Sequence, residues 1–179
     1  MRRRAEQLYQ QLDMLLQIRR EVRRELLRES RKHPAQELLR QIPRLGPIRV
    51  ALVIALLQTP HRFRTKRQLW AYSGLALQTR SSAEYRFTGG QLQHSQKLPA
   101  LRGLNINHNH DLKNLFKSVA THVSTSTGPL GDFYRSLLAK GMKPAMARLT
   151  LARQMAAIVL TIWKKGERFD PGELKRQAA

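Results

Sequence analysis

The chain has 179 residues, 41% of them hydrophobic, enough for one core of moderate size plus an appendage. Lys and Arg number 33 against 12 Asp and Glu, a formal net charge of +21. That excess points to polyanionic partners, nucleic acid first among them, with a ribosomal or membrane-surface basic protein as the competing reading. The absence of cysteine excludes disulfides and thiolate metal sites. No apolar run approaches the ~20 residues that span a bilayer, so the expectation is a cytoplasmic, nucleoid-associated protein with no membrane partner.

Residues 1–47 hold 12 basic and 6 acidic side chains, residues 48–110 hold 9 and 1, and residues 111–179 hold 12 and 5. The middle is therefore the least neutralised region. From Arg2 to Lys32 no Gly or Pro interrupts a run of helix formers. Counting Ala5 as position a, the a/d series is Ala5, Leu8, Leu12, Leu15, Arg19, Val22, Leu26 and Glu29. The seam suits another helix, and self-association through a coiled coil over residues 2–32 is weighed against packing on the chain's own body. His33-Pro34 ends the element.

Residues 38–57 predict a short helix, a tight turn and a second apolar helix. Pro47 suits that helix's first turn. The pattern Ile42-Pro43-Arg44-Leu45-Gly46-Pro47 resembles a helix-hairpin-helix, whose turn amides hold a phosphate without reading sequence. Arg44 stands where that turn usually has its first glycine, and its guanidinium could itself grip a phosphate. Arg44, Gly46 and Arg49 are thus candidate nucleic-acid contacts, against a purely structural helix corner.

Thr65 and Gln68 have capping-box spacing and start a helix that Gly74 stops. Trp70 and Tyr72 read as core. Tyr85 to Leu92 alternates around Gly89-Gly90 and predicts a short hairpin or a loop. Gln93 to His110 lacks periodicity. Asp111 is expected to cap a helix carrying Leu112, Leu115, Phe116, Val119, Ala120 and Val123. Another helix is expected from about Asp132 to Lys140. The last runs from Pro144 to Lys165, burying Met146, Leu149, Met155, Ile158, Val159 and Ile162. The fold class expected is mainly α: a coiled-coil-like arm over 1–33, a helical domain over 35–166 and a tail over 167–179.

His94, His108, His110 and His122 invite a zinc reading, but without cysteine or converging carboxylates they serve better as phosphate-facing donors, so no metal ligand is assigned. No carboxylate cluster for two-metal chemistry and no nucleotide-binding loop is present. Within 75–110 the adjacent serines Ser81 and Ser82 stand among Arg80, Arg86, Lys97 and Arg102. Glu84 is the sole carboxylate between Glu37 and Asp111. A hydroxyl nucleophile attacking a phosphodiester needs such cations to stabilise the pentacoordinate charge. A solvated loop explains the same residues.

Ile42-Pro43-x-Leu45-Gly46-Pro47, then Phe63-x-Thr65-x-Arg67-Gln68-Leu69-x-Ala71-Tyr72-x-Gly74-Leu75 and the serine pair resemble the C-terminal transposase domain of the Piv-related, IS-one-ten-type insertion-sequence transposases. Arg102-Gly103-Leu104-Asn105 and Leu112-Lys113-Asn114-Leu115-Phe116-Lys117 resemble one branch of that group. The resemblance implies a DNA recombinase domain supplying a serine nucleophile for strand cleavage and exchange. It places that role on Ser82, with Ser81 as the alternate, because Ala83 replaces the glycine that often follows. It also implies an N-terminal DEDD domain with Mg²⁺, a guide RNA and an oligomer. The chain begins in the connector helix, so the expectation is a truncated copy, inactive alone, that binds no cofactor itself. A non-catalytic basic nucleic-acid-binding module is the alternative.

Overall fold

The computed structural model describes residues 2–80, 85–94 and 100–171. Among these residues, seven α-helices dominate: α1 (Arg2–Arg31), α2 (Ala35–Arg40), α3 (Pro47–Leu57), α4 (Lys66–Tyr72), α5 (His110–Ser124), α6 (Pro129–Ala139) and α7 (Pro144–Lys165). The fold is mainly α, as the sequence predicts. Among the described residues, a 3₁₀ turn (Pro60–Arg62) and four short strands join them: β1 (Leu77–Arg80), β2 (Tyr85–Thr88), β3 (Gln91–His94) and β4 (Ala100–Leu104).

One apolar core runs from α2 to α7. The last helix is its axis, packed against α2, α4, α5 and α6. Its fully buried residues include Leu151, Met155 and Val159, which recur every four residues and so occupy one side of the helix. By length and composition alone this helix could cross a bilayer, contrary to the sequence expectation, and half of that window is buried against the rest of the chain. Met146, expected in the core, is 45% exposed because it lies in the first turn, before the helix enters the interior.

α1 is different. About 45 Å long at 1.5 Å per residue, it meets α2 and α3. Leu26 and Leu27 are half-buried and Ser30 is buried, whereas residues 3–25 are exposed throughout.

Local signals set the helix ends, with three shifts from the expected positions. The cap of α5 is Asn109, whose side chain accepts from Leu112 N at 3.0 Å; Asp111 lies inside the first turn instead, where its charge suits the helix dipole. α6 begins at Pro129, three residues before the expected Asp132. At α4, Thr65 Oγ1 accepts from Gln68 N, but Gln68 Oε1 accepts from Arg64 N at 2.7 Å, so the box closes one residue early.

The larger difference lies between α4 and α5. β1 pairs antiparallel with β4, matching Leu77 to Leu104, Thr79 to Leu101 and Arg80 to Ala100, with an irregularity between Leu77 and Thr79. β2 pairs antiparallel with β3 through Gly89 and Gly90, both at positive φ, nesting the second pair inside the first along the chain. The inner hairpin is the one expected. The outer pair replaces what reads as an aperiodic loop, because it joins segments some twenty residues apart that carry no β-branched run.

Candidate nucleic-acid interface

The turn between α2 and α3 is built from its buried residues outward. Ile42 and Leu45 are buried, and their amides donate to Leu39 O and Ile42 O at 3.2 and 3.1 Å. Pinning these two leaves Pro43 and Arg44 outside, with Arg44 at φ +64°, a left-handed conformation that suits glycine. Gly46 is extended, Pro47 opens α3, and no side chain caps that helix. Nothing lies within 4 Å of where a Cβ on Gly46 would stand. An uncapped helix start facing open space, with an exposed arginine at its lip, can receive an anion.

Arg49, one turn on, is engaged within the molecule. Its guanidinium donates to Arg44 O at 3.0 Å and to Ser118 Oγ at 2.9 Å, with His122 Nδ1 3.4 Å away. It thereby satisfies the carbonyl of the strained residue and ties the turn to α5. Ser118 and His122 carried no sequence signal for this role, since the contact spans some seventy residues.

The second cluster of candidates hangs on the end of α4. Leu75 N donates to Trp70 O at 2.8 Å and Gly74 N to Ala71 O at 3.2 Å, a Schellman ending with Gly74 at φ +64°. The His108 ring lies over Gly74 so closely that a Cβ there would stand 2.4 Å from His108 Cγ. Asn109 N donates to Tyr72 O at 2.8 Å and Asn105 N to Ala76 O at 3.2 Å. Arg153 Nε donates to Leu75 O at 2.7 Å, while Trp70 Nε1 donates to Arg153 O at 2.9 Å. Burial pushes the Arg153 guanidinium below its usual range, since desolvation disfavours its charge. α4, the 105–109 turn and α7 thus clamp the Leu77–Leu104 end of the β1–β4 pair to the core.

Arg80, Arg86 and Arg102 fall in β1, β2 and β4 respectively, their side chains outside the described set; Ser81, Ser82 and Lys97 lie outside the described residues. The chain order places both serines directly after β1. Nearby, Arg62 stacks 4.7 Å above the Tyr72 ring, a contact that holds part of the surface charge against the body. Among the described residues, no group of three or more His, Cys, Asp or Glu converges as a metal site would require. The His108 and His110 rings meet at a tilt of 47° with centroids 4.3 Å apart, and both His108 ring nitrogens are buried without a partner among the described residues.

No curated protein matches the chain. Residues 36–104, from α2 through the hairpin turn and α4 to the end of β4, match the family described as Transposase IS116/IS110/IS902 family, which supports the resemblance drawn from the sequence and a transposase-related role for this segment.

Proposed function

We propose that this chain contacts DNA and supplies a serine nucleophile to a transposase-type strand cleavage, with Ser82 as the attacking residue and Ser81 as the alternate. The observation that carries the reading is the family match over residues 36–104, which includes both the α2–α3 turn and the serine pair. In this reading the turn, with Arg44 at its lip and the open helix start behind Gly46, holds one phosphate. Arg80, Arg86, Lys97 and Arg102 stabilise the charge of the phosphate under attack. The serine Oγ–P bond forms as the P–O bond to the sugar breaks; the hydroxyl proton goes to a base and the departing oxygen is protonated. The resulting phosphoseryl ester keeps the diester's energy for rejoining.

In this proposal the Mg²⁺-dependent carboxylate half belongs to a separate DEDD domain. The exposed apolar stripe of α1 supports a homo-oligomer through residues 2–32. A guide RNA would be a further polyanion for the same excess of positive charge.

The test combines the chain with a DEDD domain, Mg²⁺ and a supercoiled DNA donor. Ser82→Ala is expected to abolish serine-linked DNA while binding survives, and Ser81→Ala to leave the product intact. If both substitutions leave cleavage unchanged, the nucleophile assignment is wrong and the chain is a basic binding module.

A further inference from the structure

We infer that the groove between α5 and the start of α7 is a second phosphate-contacting surface, fitted to the backbone of duplex DNA and separate from the α2–α3 turn. It rests on the DNA-acting reading above and lies outside the family-matched segment.

The inner faces of these two helices, Leu112, Phe116 and Val119 on one and Ala147, Leu151 and Ala152 on the other, are buried in the core. Their outer edges diverge into an open groove of about 230 Å³ lined by Lys117, Thr121, Ala145, Arg148 and Leu149. Lys117 and Arg148 are exposed and approach it from opposite walls. Lys113 stands one helical turn before Lys117 on the same face, and Lys143 immediately precedes α7.

Among the described residues, none of these four cations joins an ion pair or a side-chain hydrogen bond. Their neighbours are used differently. Arg135 pairs with Asp132, Lys165 with Glu167, Lys164 bonds the carbonyls of Phe63 and Arg64, and Arg153 bonds Leu75 O. Asp111, the acid on α5, lies six residues from Lys117, about 240° around the helix and on another face. The fold therefore engages Arg135, Arg153, Lys164 and Lys165 internally and leaves this set to repel one another across a groove. A polyanion relieves that repulsion.

The groove chemistry selects among polyanions. Its lining has no aromatic side chain on which an unpaired base could stack, and no amide to read a base edge. The Thr121 hydroxyl already donates to Lys117 O at 3.0 Å, so the ammonium and guanidinium groups are the donors here, and they suit phosphate oxygens of a continuous backbone, contacted without regard to sequence.

The test is duplex DNA binding by the full chain, followed by fluorescence anisotropy over a range of salt concentrations. Lys117→Gln combined with Arg148→Gln is expected to make the slope of log K against log salt shallower by about 1.8, for two lost phosphate contacts, equally on unrelated sequences. Arg44→Gln should lower it by about 0.9 on its own, additively with the groove pair. Lys117→Arg with Arg148→Lys should restore the wild-type slope, and an unchanged thermal midpoint shows that folding is intact. A groove variant with the wild-type slope, while the wild type binds duplex DNA, overturns the inference and leaves the functional reading standing. So does a loss seen only with a single-stranded RNA probe. A wild-type chain that binds no duplex at any salt sinks the functional reading and the groove with it.

Discussion

The two longest helices, α1 and α7, read alike in sequence and end in opposite environments. Both carry apolar residues at helical spacing and contain no internal glycine or proline. In α7, Leu151, Met155 and Val159 are fully buried; in α1, Leu12, Leu15 and Val22 are 48%, 63% and 57% exposed. The difference is one of company. The α7 helix is surrounded by α2, α4, α5 and α6, whereas α1 touches the body only near its C-terminal end. A stripe that large, left in water, is how a chain advertises a missing partner helix.

The largest expected effect is on the buried member of the pair. Met155→Ala should destabilise the whole body by about 2–5 kcal/mol, as a cavity opens in the shared core, and chemical denaturation measured by circular dichroism checks it. A cost below ~1 kcal/mol would mean that the helix is not the core axis described.

The exposed member should behave in reverse. Leu12→Ser with Leu15→Ser is expected to change the body's unfolding free energy by less than ~0.5 kcal/mol. Sedimentation across a range of protein concentrations should show self-association weakened by an order of magnitude or more. If the wild type stays monomeric at all concentrations, or the double variant unfolds the body, the contrast between the helices collapses.

The smallest effect locates the boundary between arm and body. Ser30 is buried and its hydroxyl has no partner among the described residues, an arrangement that costs free energy. Ser30→Ala should therefore raise stability by up to about 1 kcal/mol, read as a shift in thermal midpoint. A loss of similar size would show that the hydroxyl is bonded and that the arm docks more firmly than its exposed surface suggests.

The same contrast separates the candidate sites. Arg44 and the open start of α3 were legible from six consecutive residues, Ile42 to Pro47, because proline, glycine and buried aliphatics fix such a turn locally. The left-handed backbone at Arg44 follows from its standing in the glycine position of that pattern. The inward hold of Arg49 on Ser118 was not legible, nor were the Arg153 brace and the Lys117–Arg148 groove. Each joins helices separated by thirty to eighty residues, and no local pattern records which surfaces will meet.

What the sequence determined by itself was the mainly helical class, the helix stops at Gly74 and Gly166, the Gly89-Gly90 hairpin and the unbalanced positive charge. These depend on dihedral preference and on bonds four residues apart. Tertiary structure alone decided which long helix is enclosed and which is bare, that β1 finds β4 across an intervening hairpin, and which cations are spent on the chain's own carbonyls and carboxylates. Those outcomes depend on which apolar faces exclude water together, and only the folded chain brings the faces into contact.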